Sequence, residues 1–443
     1  MIRHVRSLKL AVRKAAPASP AFRFRLSTFD FRFAGLLALV APAPASASVA
    51  DVFGLGSAYV GAGDAAVAEA QDFAACFYNP AGLAVAARPS LHLGWTVADA
   101  RVHAGGAGLD LEHAGGAVFG LAVPLDLPLS WLREVAFGFA LYAPPDTAVA
   151  IRGRPASEPT LPYYSDRLAR WLVLPAVALR FAGDVALGVA VDLFAGIRGP
   201  VEVAEGPTGA AEGRTALELP GTATPIVGLR WDPFPSFSVG VVWRAEFSAI
   251  AATSADARAG GAAVRLDAAL EGLYRPHTVV LGLAFRGTRW RAGLDASWEH
   301  WSAFDGALPD VGADWQGMGL APQPPALPFR DAFGVRAGGE VRFVLGGAEV
   351  AVRAGYGWES RILPADVAGA ALLDGDKHIV SGGLGLRLAM DDGTLLSLDA
   401  HVAAHVLAGA SAVAPATDAG GDAVRIAAEG AVLSAGFDLG VEW

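Results

Sequence analysis

FGLGSAYVGAGDAAVAEAQDFAACFYNPAGL, residues 53–83, differs in composition from the rest of the chain and sets a condition on it. Glycines at 54, 56, 61 and 63 give a backbone that turns tightly and approaches other backbone closely. Asp64 stands where an N-cap would, ahead of an alanine-rich run from Ala65 to Ala75 that is long enough for about three helical turns. Pro80 supplies no N–H and pushes Asn79 out of helical geometry, so Asn79-Pro80-Ala81-Gly82 must turn. A segment this poor in apolar bulk cannot build a core of its own. It has to pack inside something else.

What encloses it is legible at the far end of the chain. Leu433, Ala435, Phe437, Leu439, Val441 and Trp443 alternate with Ser434, Gly436, Asp438, Gly440 and Glu442. Period two with one apolar and one small or polar face is a strand between lipid and a lumen. Residues 289–301 repeat the pattern: Arg289, Arg291, Asp295, Ser297 and Glu299 share one face, Trp290, Ala292, Leu294, Ala296 and Trp298 the other. At about 3.3 Å per residue and a tilt near 40°, Trp290 and Trp298 stand roughly 20 Å apart along a membrane normal, close to the spacing of two aromatic girdles.

The chain is 53% hydrophobic with mean hydropathy +0.40, yet alanine inflates both values. Outside the N-terminus no apolar run reaches the roughly 18 residues that a membrane-spanning helix needs. A chain that crosses a bilayer without such helices must form a closed barrel, which satisfies its backbone in lipid. Short connections occur at Ala182-Gly183-Asp184, Asp232-Pro233-Phe234-Pro235, Arg286-Gly287-Thr288, Leu345-Gly346-Gly347 and Asp391-Asp392-Gly393, with a slightly longer one from Asp126 to Glu134. Long connections lie between them, notably 145–170, 199–219, 303–331, 363–377 and 408–424. Six short turns alternating with seven loops predict fourteen strands with both ends on the short-turn side. The predicted fold is all-β: a 14-stranded antiparallel transmembrane β-barrel with an N-terminal plug of short helices and turns.

Asn79-Pro80-Ala81, continued by Gly82-Leu83, lies in a glycine-rich segment just before the first strand. In that position it resembles the plug, or hatch, of the FadL family of outer-membrane transporters for long-chain fatty acids and other hydrophobic compounds. Further matches run along the chain: Leu141-Tyr142-Ala143-Pro144 at the end of the third strand, Tyr274-Arg275-Pro276 before Val279-Val280-Leu281-Gly282, Trp298-Glu299-His300-Trp301-Ser302, and Arg353-Ala354-Gly355-Tyr356 before Asp376-Lys377-His378. The resemblance implies a plug over 48–89 and a barrel over 90–443. It implies capture of a hydrophobic small molecule among the outer loops, passage to a pocket above the plug, and plug movement. Release is then lateral, through a break in the wall near the third strand, with Tyr142 and Pro144 marking that strand. Asn79, Pro80, Ala81 and Gly82 would shape the plug beside the opening. The family is usually monomeric, and Trp443 resembles the terminal aromatic, more often Phe, that the barrel assembly machinery reads.

Residues 1–47 read as an export signal. Eight basic residues from Arg3 to Arg32 precede the apolar stretch Phe33 to Ala41, and Ala45-Ser46-Ala47 fits a small-residue cleavage site. The alternative is a disordered basic tail on a cytoplasmic protein. Removing 1–47, which also holds one acid, Asp30, takes the formal charge from −10 to −17, a balance that argues against nucleic acid as partner. The export signal and barrel together place the protein in the outer membrane of a Gram-negative bacterium. The one cysteine, Cys76, excludes an internal disulfide and reads as a small buried apolar residue.

No cofactor or metal is expected. His401 and His405 share a strand face with Asp399, but residues four apart on a strand are about 13 Å apart, too far to share one ion. No nucleophile elbow, phosphate loop or Cys/His metal spacing is present, so a barrel enzyme has little support. Arg289, Arg291, Arg353 and Arg387 face inward by alternation. They would meet a ligand carboxylate or pair with the plug acids Asp64, Glu69 and Asp72. The expected function is passive uptake of long-chain fatty acids or similar compounds. The runner-up keeps the fold and makes the barrel a scaffold or shuttle for secreted or surface proteins. A general porin is disfavoured because the plug would block the lumen.

Overall fold

A computed structural model of the chain describes residues 52–443 except 109–113, 128, 146–169, 196, 204–212, 260–261, 305, 307–309, 316–317, 321–326, 365–369 and 415–423. The expected export signal, 1–47, lies outside the described residues, as do most of the connection 145–170 and residues 48–51 of the expected plug. Fourteen strands form the wall. They are β1 (Ser90–Ala104), β2 (Ala114–Asp126), β3 (Leu132–Ala143), β4 (Leu172–Phe181), β5 (Val185–Phe194), β6 (Thr222–Phe234) and β7 (Phe237–Arg244). The second half holds β8 (Thr278–Arg286), β9 (Trp290–Glu299), β10 (Ala332–Leu345), β11 (Ala348–Glu359), β12 (Ala370–Ala389), β13 (Leu395–Ala414) and β14 (Val424–Glu442). Each strand pairs antiparallel with its neighbours in this series, and β1 pairs with both β2 and β14, so the sheet closes on itself. Closure leaves no wall strand with a free edge, which is what a bilayer demands.

The predicted short turns join strands at one end of the barrel. Three of them carry glycine at positive φ: Gly183 (φ 92°), the pair Gly346 (φ 60°) and Gly347 (φ 89°), and Gly393 (φ 88°). The long connections leave from the other end. Six further strands, Ile197–Val203, Gly213–Leu219, Phe247–Ala259, Ala262–Arg275, Asp310–Trp315 and Met318–Leu320, lie within these connections and pair into a second sheet. Two loop expectations need correction. Much of 363–377 and part of 408–424 are strand, because β12 begins at Ala370 and the β13–β14 ladder continues to Ala414↔Val424 after a register shift. The small and apolar residues there keep the strand period past the expected boundary.

Outward and inward faces separate as the alternation predicts. In β9, Trp290 and Leu294 are exposed while Asp295 is 3% exposed. Exposed aromatics gather at two levels: Trp131, Trp231, Trp290 and Phe343 toward the short turns, and Trp171, Trp243, Phe333 and Tyr356 toward the loops. Between them the outside is mainly aliphatic, with Trp95, Phe137 and Phe437 also exposed there, as in the lipid-facing band of an outer-membrane barrel. This geometry makes a depth-dependent prediction. Leu384→Arg, midway along the wall, should cost about 2–4 kcal/mol of folding free energy in vesicles, against about 0–1 for Val344→Arg beside a short turn. Equal costs in a denaturant titration would contradict the assigned band.

Candidate functional site

The lumen is occupied by residues 52–89. Short helices α1 (Ser57–Gly61) and α2 (Ala75–Tyr78) and a 3-10 helix, Pro80–Val85, are joined by turns. The expected helix over Ala65–Ala75 does not form. Residues 62–74 are turns, and Asp64 takes a left-handed φ of 57° instead of capping a helix. Tertiary contacts override alanine propensity here, because the backbone groups that a helix would have bonded internally are bonded by the wall. Asp295 accepts from Val67 N–H at 3.0 Å, Arg286 donates to Ala68 O at 3.0 Å, and Arg244 donates to Phe77 O at 2.5 Å. Asp438 accepts from Ser57 N–H.

The plug comes this close because the inner wall is cut back to glycine at its level. A Cβ at Gly188 of β5 would strike Pro80 and Ala81, at Gly228 of β6 the Asn79 side chain, and at Gly338 of β10 the Ala62 carbonyl. Several of these glycines sit opposite one another: Gly188↔Gly228, Gly240↔Gly282 and Gly293↔Gly338↔Gly355. The Asn79 side chain spans the contact. Its amide donates to Val67 O at 2.9 Å and Leu229 O at 3.0 Å, and its oxygen accepts from Ala81 N–H at 3.1 Å. Asn79 thus joins the turn to both plug and wall, and Pro80 begins the 3-10 helix.

Arginines two or four residues from such glycines, on the same face, meet the plug's acids and carbonyls. Arg336 pairs with Asp64 at 3.0 Å, and Arg291 lies 3.8 Å from Glu69 and 3.1 Å from Glu340. Arg286 approaches Glu69 at 3.1 Å, close enough for Coulomb attraction though not aligned as a hydrogen bond. Asp72 stays within the plug, accepting from the Tyr59 hydroxyl at 3.2 Å and Ala74 N–H at 2.9 Å. Of the four arginines picked from the sequence, only Arg291 reaches the plug. Arg353 pairs with Glu340 and, at 2.6 Å, with Asp399, all within the wall. Arg387 pairs with Glu442 at 2.5 Å near the short-turn end. Arg289 is exposed in the turn after β8, not inward-facing, because the strand period stops before it. Arg286 and Arg336 were missed; their alternation with Gly282 and Gly338 is the sequence signal that finds them.

Below the plug, Tyr59, Asp72, Arg291, Glu340, Arg353 and Asp399 bound a cavity of about 90 Å³ that offers an apolar chain no seat. Above the plug, toward the loops, the interior is apolar and aromatic. Tyr274 stacks on Phe304 at 4.3 Å, Phe304 meets Phe329 at 4.9 Å, and Trp301 is wholly buried beside them. Arg244 lies over the Phe77 ring and Arg170 over Phe247, each at 4.4 Å. Asp192, also wholly buried, pairs with Arg170 at 2.7 Å and Arg275 at 3.3 Å. Arg275 is 3% exposed, and its Nε and Nη2 have no hydrogen-bond partner among the described residues.

Tyr142 and Pro144 are buried at the loop end of β3. Strand β3 itself is paired on both edges from Glu134 to Tyr142, so it carries no break in this state. Cys76 is wholly buried against Gly138, and burial, reinforced by the Asp72 charge, pushes its thiol well above the ordinary range. His401 and His405 line the lumen, His405 against the Phe53 ring at 4.9 Å. No group that could hold a metal ion occurs among the described residues.

The glycine seat predicts the effect of refilling it. Gly338→Val should cost about 1–3 kcal/mol through overpacking and expose the alanine-rich residues 65–75 to elastase. Gly382→Ala, where only Arg353 O lies near at 3.8 Å, should leave the cleavage rate unchanged.

No protein-family model matches the chain, and no curated protein matches its sequence. Among solved structures it is similar to a Pseudomonas aeruginosa FadL homologue at 16% identity and TM-score 0.54, over 90% of this chain and 99% of that one. It is similar to the Ralstonia pickettii toluene transporter TbuX at 13% identity and TM-score 0.54, over 89% and 100%. The Pseudomonas putida toluene transporter TodX gives 16% and 0.52, over 89% and 99%. At these identities the likeness is one of architecture. The chain has the fold of the FadL-type transporters of hydrophobic compounds, a closed fourteen-stranded barrel.

Proposed function

We propose that the protein is an outer-membrane channel of a Gram-negative bacterium for passive uptake of long-chain fatty acids or related hydrophobic compounds, with release gated by the plug and directed sideways into the membrane. The observation that carries this reading is the placement, beside an apolar interior above the plug, of an arginine that pairs with Asp192 through one nitrogen and keeps donors to spare. Arg275 has two nitrogens without partners among the described residues, next to Phe194, Phe247 and the Tyr274–Trp301–Phe304–Phe329 cluster. A fatty-acid carboxylate leaving water needs such charged donors, and its tail needs aromatic and aliphatic walls. The plug supports gating, because it fills the lumen that a solute of a general porin would cross.

Asn79, Pro80, Ala81 and Gly82 are the turn whose movement would open the path. Arg291, through Glu69, helps hold the plug; Arg353 and Arg387 brace the wall beneath it. Trp443, exposed at the short-turn end, is the residue through which we expect the barrel assembly machinery to engage the chain. The barrel works as a monomer and carries out no chemistry on its ligand. A second reading, a scaffold or shuttle for secreted proteins, draws on the outer sheet, whose end strands Ile197–Val203 and Met318–Leu320 each pair on one side only among the described residues. Such edges accept an added strand.

Uptake tests the choice. In a Gram-negative host lacking its own fatty-acid channel, the chain should raise uptake of radiolabelled palmitate above the empty-vector level. Arg275→Gln, with the folded barrel retained on a gel, should reduce that uptake several-fold. Uptake of toluene but not palmitate would move the assignment to neutral hydrocarbons, and uptake of neither would sink the channel reading.

A further inference from the structure

The inward path through the apolar interior ends at a wall, and the wall is not uniformly bonded. Strands β4 and β5 pair at Val173↔Leu193 and again from Ala176↔Ala190 to Arg180↔Ala186, in one unbroken register. Between these, Leu174 and Pro175 have no partner on β5, and Val191 and Asp192 have none on β4. The cause is local: Pro175 has no N–H to donate into the ladder. On their other edges the same residues are paired, Pro175 with Phe139 and Val191 with Pro225, so the interruption belongs to this one seam. The remaining irregularities between adjacent wall strands are register shifts toward the turn or loop ends, as at Leu132/Glu134, Phe237/Val239 and Leu407/Ala410.

The seam is apolar through its thickness. Leu174, Ala190 and Ile226 are wholly buried on its inner side, and Val173, Pro175, Val191 and Leu193 lie on its outer side. Directly behind it stands the 3-10 helix of the plug, whose Pro80 and Ala81 press on Gly188, two residues along β5 from Ala190. Where backbone rungs are missing, side chains span the gap. Arg170, just before β4, holds Asp192 of β5 with two hydrogen bonds at 3.0 and 2.7 Å, and Arg275 adds a third contact. A bidentate pair in an apolar setting is strong when made and costly when one partner is lost.

We propose that hydrophobic ligand leaves the barrel through the β4–β5 seam at Pro175, latched by the Arg170–Asp192 pair, and not along β3. This rests on the reading of lateral release and gives it a place. Pro175 leaves the seam one backbone hydrogen bond short at its centre, whereas either edge of β3 between Glu134 and Tyr142 is a continuous ladder. The turn that would move the plug is also the element leaning on this seam, so plug displacement and wall opening become one event.

Two measurements decide it. By hydrogen exchange of the full chain in lipid vesicles, peptides covering 172–176 and 189–193 should exchange about tenfold faster than those covering 117–126 of β2, and Asp192→Ala should widen the difference. Equal protection would overturn the seam whether or not the protein carries palmitate. In a Cys76→Ala background, an oxidised Val173→Cys/Leu193→Cys cross-link should abolish palmitate uptake and reduction should restore it. A Val123→Cys/Phe137→Cys cross-link between β2 and β3 should leave uptake intact. A block from the β2–β3 cross-link alone, or from neither, contradicts the proposal. Failure of the reduced proteins to carry palmitate at all would instead count against the channel reading, while the exchange data still settle whether the seam opens.

Discussion

The plug's backbone is the constraint that orders this structure. A chain made of turns and single helical turns buries N–H and C=O groups that it cannot bond to itself, and a buried group left unbonded costs about 1–3 kcal/mol. The wall meets that demand from its inner face, with Asp295, Asp438, Arg244 and Arg286 bonded to plug backbone and Asn79 bridging the two. These bonds require close approach, and close approach requires the missing Cβ atoms of Gly188, Gly228, Gly338 and their neighbours. The glycine content of the barrel strands is therefore as much a property of the plug as of the wall.

Charge follows from the same geometry. An acidic plug inside a narrow lumen needs cations, and the inner wall supplies them two or four residues along the strand from several of the close contacts, as at Gly338 and Arg336. The pairs are shared outward, Glu69 to Arg291 to Glu340 to Arg353 to Asp399, so plug and wall form one network toward the short-turn end. That end is polar and braced. The loop end is apolar and holds a separate group, Arg170, Asp192 and Arg275, in aromatic surroundings. The contrast gives the barrel a direction: the apolar interior at the loop side has no counterpart below the plug.

Much of this was legible before any coordinates. Period-two alternation and turn chemistry are local signals, so strand number, closure and the inward placement of Asp295 and Arg291 followed from residue order. The Asn79-Pro80-Ala81-Gly82 turn was equally clear, because Pro80 restricts its predecessor. What failed was tertiary in origin. The alanine run 65–75 has helical propensity, but wall groups bond its backbone and turns prevail. Arg289 keeps the right parity and lies one residue too far into a turn. Tyr142 and Pro144 lie at the loop end of β3, whose ladder is whole in this state, and the missing rung falls one strand pair further on, where Pro175 meets β5; whether ligand leaves near β3 is a question of function that residue order and this ladder do not answer.

Under the proposed function, the plug closes a barrel that retains a hydrophobic ligand above it. Lipid mass spectrometry of the full chain purified in mild detergent tests this most directly, set beside a variant lacking residues 48–83. A fatty acid or hydrocarbon near one per barrel in the intact protein, and absent from the variant, is the predicted result. An intact barrel that carries none, or a plugless barrel that retains the same molecule, would contradict the account.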